Sequence, residues 1–121
     1  MVLVDTSVWV THFRHGSVGL ETRLTEAQVV CHAFIIGEVA CGNLKNRAEI
    51  LSLLQAIPMA LSAEHAEVLR LIETYRLMGQ GLGYVDVHLL ASARLSDVPL
   101  WTLDKRLNGA ASMLGLDHRP T

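Results

Sequence analysis

Asp5, Glu38, Asp86 and Asp104 break the rule that carboxylates keep away from apolar surroundings. Asp5 directly follows Val2-Leu3-Val4, and Asp104 directly follows Leu100-Trp101-Thr102-Leu103. Each therefore stands at the carboxyl end of an apolar run that reads as a buried strand, and in open α/β sheets ligands bind outside those strand ends. Glu38 lies three residues after Ile35 and four before Gly42, so it is expected on the inward side of its helix. Asp86 shares a stripe with Leu89, Leu90 and Ala93 and is expected to face the sheet as well. It also falls in a first helical turn, where free N–H groups and the helix dipole favour negative charge.

Carboxylates brought together in this way need a counter-charge. Two of them about 4 Å apart repel by about 4 kcal/mol at an effective dielectric of about 20. The chain has too few cations in these layers to pair them all, so the set stays ionised at neutral pH only around a divalent ion. All-oxygen ligation that leaves waters in place suits Mg²⁺ or Mn²⁺. The chemistry expected is hydrolysis of a phosphodiester bond by a metal-activated water. Taken singly, an aspartate at a strand end is an ordinary turn former and an inward glutamate an ordinary ion-pair partner; the conjunction is what points to a site.

The elements that must position these acids alternate between strand and helix. Val2–Val4 is a β-branched run, followed by helical patterns over Ser7–Phe13 and Leu20–Glu26 with a break at Ser17–Gly19. Gln28–Cys31 reads as a second strand, Phe34–Cys41 as a helix, and Asn46–Gln55 as an amphipathic helix ended by Pro58. Met59–Leu61 is a third expected strand, and Ser62 the expected N-cap of a helix whose Val68, Leu69, Ile72 and Tyr75 form an apolar stripe. Gly79, Gly81 and Gly83 make a break, Val85–Leu95 is helical, Leu100–Leu103 is a fourth strand and Lys105–Leu114 a last helix. This order predicts a single α/β domain over residues 1–121, with a short, mainly parallel sheet of four or five strands flanked by helices.

Composition bounds the setting. At 121 residues the chain is half hydrophobic, with a mean hydropathy of +0.33. That is more apolar side chain than one small core hides, so an exposed apolar patch is expected, and with it a homodimer and a partner surface. No apolar run is long enough to span a bilayer, and the N-terminus lacks the basic start of a signal peptide, so no membrane role is expected and the protein reads as cytoplasmic. Cys31 and Cys41 have no zinc-like spacing and read as reduced thiols. The net charge of −2 gives no global basic field for nucleic acid, so local arginines and metal ions must offset the site's own acids.

The motifs themselves are similar to those of PIN domains. Val4-Asp5-Thr6-Ser7, Ile36-Gly37-Glu38-Val39, the run from Asp86 to Ala93, and Trp101-Thr102-Leu103-Asp104 occur in the PIN order, and the likeness covers essentially the whole chain. Within that group the chain most resembles the toxins of VapBC-type toxin–antitoxin pairs. The resemblance implies an Mg²⁺- or Mn²⁺-dependent endoribonuclease, usually dimeric, held inactive by a cognate antitoxin. Carried over, Asp5 and Asp86 would bind metal directly, Asp104 would complete the metal site, and Glu38 would orient or deprotonate the attacking water. Thr6, Ser7 and Thr102 would hold the carboxylates or waters by hydrogen bonds. Asn108 departs from the pattern, standing where many relatives have another acid or an aromatic.

Other features weigh less. His12 and His15 have helical spacing for a metal but no companion ligand, and the three glycines follow a helix rather than the strand that a dinucleotide loop requires. Trp9 and Trp101 read as core or interface. Arg14, Arg76, Arg94, Lys105 and Arg106 could meet phosphates; Arg106 is favoured because it lies just beyond Asp104. A phosphatase of the haloacid-dehalogenase type would need an acid at position 7, which is Ser. The remaining alternative is a non-catalytic PIN-like module that binds RNA or protein, but a pure binder has no reason to endure the repulsion among the acids.

Overall fold

Three parallel strands form the centre of the computed structural model, which describes residues 1–119. They are β1 (Val2–Val4), β2 (Val29–Val30) and β3 (Leu100–Trp101), in the spatial order β2-β1-β3. Val2 and Leu3 register with Val29 and Val30 on one side, and Leu3 and Val4 with Leu100 and Trp101 on the other. Strand β1 is buried along its length, as its unbroken β-branched and aliphatic run requires.

Among the described residues seven helices surround this sheet: α1 (Thr6–His15), α2 (Val18–Thr25), α3 (Ala33–Cys41), α4 (Arg47–Ala56), α5 (His65–Tyr75), α6 (Tyr84–Ser96) and α7 (Lys105–Met113). One contiguous core joins them, with Trp9, Leu20, Ile35, Leu54, Leu89, Leu90 and Leu107 fully enclosed. Trp9 is therefore a core residue. Helix α6 is the central one, buried continuously from Val87 to Ala93, because small residues at Ala91, Ser92 and Ala93 let its neighbours approach on more than one side.

The expected sheet of four or five strands is shorter in the structure. Met59–Leu61 contributes only a single parallel bridge from Met59 to Cys31, held by Cys31 N–H to Pro58 O and Ala60 N–H to Cys31 O, both 2.8 Å. Pro58, without an N–H, and the departure of Leu61, whose N–H turns to the Ser96 hydroxyl at 2.8 Å, stop that ladder after one rung. A second bridge, Leu100 to Asp117, flanks the other edge. Helix α5 also starts later than Ser62 would place it. Its N-cap is Glu64, whose N–H donates to the Glu67 carboxylate at 3.0 Å, a pairing that reaches back across the first turn.

Candidate active site

Strands β1 and β3 are neighbours and parallel, so their carboxyl ends deliver Asp5 and Thr102–Asp104 to the same rim. Asp5 is 7% exposed, and its Oδ2 accepts hydrogen bonds from the Ser7 hydroxyl at 2.7 Å and the Thr102 hydroxyl at 2.8 Å. The same two side chains tie down the far strand end: Leu103 N–H donates to Ser7 Oγ at 3.0 Å, and Asp104 N–H to Thr102 Oγ1 at 3.1 Å. Ser7 and Thr102 thus lock β1 to the exit of β3 while orienting the carboxylate between them. Thr102 is itself buried, so these bonds are shielded from water.

Each of the other acids is held at the start of a helix or by one. Asp104 is the N-cap of α7, its Oδ1 accepting from the N–H groups of Arg106 at 2.9 Å and Leu107 at 3.0 Å. Asp86 sits in the first turn of α6 and its Oδ2 accepts from Gly83 N–H at 2.9 Å. Burial raises the Asp86 carboxyl above its usual range; the Gly83 hydrogen bond pulls it back, and the charges of Asp5 and Asp104 push it up again. These three aspartates therefore share one electrostatic field.

Glu38 occupies a different position from the one its spacing implies. Ile35 and Val39 take the buried face of α3, and Glu38 is exposed rather than turned inward. It belongs to the rim through Thr6 at the first turn of α1, whose hydroxyl donates to Glu38 Oε1 at 2.8 Å. Glu38 is about 60° round the helix from Ile35 and about 100° from Val39, so it lies off the edge of the stripe those two bury.

A pattern runs through the set. Asp5, Asp86, Asp104 and Glu38 each use one carboxylate oxygen to accept hydrogen bonds from the protein. The second oxygen of each has no protein partner among the described residues, and none of the four forms an ion pair there; the one ion pair among those residues is Arg119 with Asp117. Hard oxygen donors, prepositioned, acid and lacking a protein cation, fit Mg²⁺ or Mn²⁺ in kind. Among the described residues no three His, Cys, Asp or Glu side chains converge tightly enough to enclose an ion.

Arg106, on the first turn of α7, folds across the loop before α6. Gly81 has φ +77°, and a side chain built there would collide with the Arg106 guanidinium. The glycine thus makes room for an arginine lying between Asp104 and the entry to α6.

An aromatic and imidazole cluster, unmarked by any local sequence motif, packs on the Tyr84 and His88 side of α6. His88 has its ring 4.8 Å from that of Phe34 and 4.7 Å from that of Tyr84, both edge-on. His32 packs on Phe34 at 5.1 Å, and His65 Nδ1 meets the Tyr84 hydroxyl at 2.6 Å. His32 and His88 are buried, and both are pushed below the usual histidine range, chiefly by loss of water. Tyr84 and His88 are one helical turn apart on α6, but only the fold brings Phe34, His32 and His65 to them. His12, in contrast, accepts a hydrogen bond from Ser17 N–H on its Nδ1, which is a structural role at the end of α1.

Comparison with known proteins agrees with this geometry. The PIN-domain family profile matches residues 2–112. Ribonuclease VapC32 of Mycobacterium tuberculosis, in both strain CDC 1551 / Oshkosh and strain ATCC 25618 / H37Rv, is 43% identical over 117 residues, covering 96% of this chain and 94% of that protein. Among solved structures, PAE2754 from Pyrobaculum aerophilum superimposes with a TM-score of 0.60 over 89% of this chain and 77% of that one, at 19% identity, a likeness of fold. The parallel sheet, the rim of acids and these matches together make the chain a member of the PIN-domain family, of the VapC toxin type.

Proposed function

We propose that the protein is an Mg²⁺- or Mn²⁺-dependent endoribonuclease, the toxin of a type II toxin–antitoxin pair, acting in the cytoplasm. The observation that carries this reading is the set of four acids, each anchored through one oxygen, with the other left open and no Lys or Arg in an ion pair with it among the described residues. The kinship to a ribonuclease at 43% identity supports the choice of RNA as substrate.

In this reading Asp5 and Asp86 hold the ion directly, and Asp104 holds it directly or through water. A divalent ion, when bound, neutralises the phosphate oxygens and stabilises the charge that builds up during displacement. Glu38, held by Thr6 and open to solvent, takes a proton from the attacking water. The water oxygen bonds to phosphorus as the P–O bond to the leaving ribose oxygen breaks, and that oxygen takes up a proton from solvent to leave as a hydroxyl. Ser7 and Thr102 keep Asp5 from rotating as its environment changes charge. Arg106 contacts a backbone phosphate beside Asp104.

Exposed apolar side chains, among them Leu61, Leu69, Leu103 and Met113, support a homodimer and a surface for the cognate antitoxin. Asp5→Asn and Asp86→Asn are expected to abolish cleavage of single-stranded RNA in Mg²⁺ or Mn²⁺ buffer while the protein stays folded by circular dichroism. If either variant cleaves as fast as the parent, the assignment fails. The competing reading, a non-catalytic binding module, is upheld instead if the parent binds RNA and leaves it uncut across both metals.

A further inference from the structure

The acid rim explains how a phosphodiester could be cut but not how a chain of net charge −2 holds a polyanion beside its own carboxylates. Two exposed cations stand together elsewhere, at the far end of α1. The last turn of α1 and the connection from α3 to α4 enclose an open hollow of about 690 Å³. Arg14, His15 and Lys45 line it, against Glu49 as the lone acid in its wall. Arg14 and Lys45 are exposed, and neither is engaged in an ion pair among the described residues. Phe13 forms part of the wall, and its ring stacks on that of Trp9 at 5.7 Å with 24° between the planes, which holds it rigidly. Asn43 and Asn46 add amide donors and acceptors. Cations interleaved with a fixed aromatic face and amides match a single-stranded nucleic acid better than an acidic peptide, which offers no bases to stack.

The hollow is also in line with the rim. Thr6, at the first turn of α1, touches Glu38. From there α1 packs along α3 and ends at the hollow, so that Arg14 lies about 12 Å further along the axis at about 1.5 Å per residue. That is the scale of a short stretch of extended RNA.

Resting on the ribonuclease reading above, we propose that this hollow is a second substrate subsite, which takes the phosphate backbone of single-stranded RNA a few nucleotides from the bond cleaved at the acid rim. Arg14 and Lys45 bind phosphates there, and Phe13 offers a face to a base. The occupant would be RNA rather than the antitoxin.

The test uses the Asp5→Asn protein, full length, with a fluorescent oligouridine of about 12 nucleotides titrated at several salt concentrations. Each phosphate contact to a single strand contributes about 0.7 to the slope of log K against log salt. Arg14→Ala with Lys45→Ala is therefore expected to lower that slope by about 1.4 and to weaken binding about 25-fold at about 0.1 M salt relative to about 1 M. Arg14→Lys with Lys45→Arg should keep the slope. In the protein with its acids intact, the double alanine variant should raise KM for the long RNA with kcat unchanged. It should leave unchanged the cleavage of an oligomer too short to reach from Asp5 to Arg14. Equal thermal midpoints exclude misfolding, because neither side chain is buried. An unchanged salt slope overturns the subsite, as does equal loss on the short oligomer. So does weakened binding of an acidic partner peptide with RNA affinity intact. Failure of the intact protein to cut any RNA would instead sink the ribonuclease reading, while the binding titration would still report on the hollow.

Discussion

Replacing Thr102 by Val would remove a single oxygen at nearly constant volume from the joint that ties Asp5 to the end of β3. In the parent, the Thr102 hydroxyl donates to Asp5 Oδ2 at 2.8 Å and accepts from Asp104 N–H at 3.1 Å, in a position only 7% exposed. A hydrogen bond to a charged partner contributes about 1.5–3 kcal/mol, and stranding a part-buried N–H adds up to about 1 kcal/mol more. Ser7 still holds Asp5 at 2.7 Å, so the carboxylate is not orphaned. The expected net loss is about 2–3 kcal/mol. Urea unfolding should report it as a lower midpoint with an unchanged m-value. Adding Ser7→Ala should cost more than the sum of the single changes, because only the double variant leaves Asp5 Oδ2 without any donor. A Thr102→Val loss below about 0.5 kcal/mol, or strict additivity of the pair, would refute the idea that these hydroxyls hold the buried carboxylate.

Adding Mg²⁺ or Mn²⁺ in large excess should raise the thermal midpoint, by about 2.7 kcal/mol of stabilisation at about 100 times Kd; no shift at millimolar metal would contradict a carboxylate metal site. Asp86→Asn keeps an oxygen for Gly83 N–H and removes a charge that is poorly hydrated and repelled by Asp5 and Asp104. The metal-free variant should therefore be more stable than the parent at neutral pH. That gain should vanish as the pH falls through the raised Asp86 value, where the parent is protonated too. His32 and His88 act in the opposite sense. With folded-state values below the unfolded about 6.5, they contribute stability that is complete above about pH 6.5 and is lost as the pH falls below it and the unfolded chain takes up protons. His32→Asn, which keeps an acceptor for Phe34 N–H, should flatten the fall in melting temperature between about pH 7 and 5.5. Sedimentation at tens of micromolar should find a dimer; a clean monomer would leave the exposed apolar side chains without their proposed partner.

Much of the rim was legible in the linear chain because its logic is local. An aspartate directly after a buried apolar run lands near a strand's carboxyl end whatever the rest of the fold does, and parallel pairing then puts Asp5 next to Thr102, two residues before Asp104. The supporting role of Ser7 and Thr102 was implied by the family resemblance, and the structure has both hydroxyls on Asp5 Oδ2. Glu38 was harder. A short helix rich in apolar residues on several sides, such as Ala33–Cys41, gives no sharp stripe, so its pattern alone does not say which side is buried. The third expected strand failed for a related reason: Met59–Leu61 has strand composition but only one bonded partner position, and pairing is a property of neighbours. The Phe34–His88–Tyr84 cluster and the basic hollow join segments about 30 or more residues apart, which periodicity cannot reach.

The four acids are unequally expendable to the fold, since Asp104 starts α7, Asp86 closes the entry to α6 and Asp5 staples two strands, whereas Glu38 rests on Thr6 alone. A descendant that abandoned chemistry would be free to discard the glutamate first and would shed Asp104 last, because helix α7, with Leu107, Ala110 and Ala111 in the core, would fray without it. Degenerate copies of this chain should therefore wear away from the solvent side of the rim inward, and an intact Asp104 in such a copy would be testimony to architecture, not to activity.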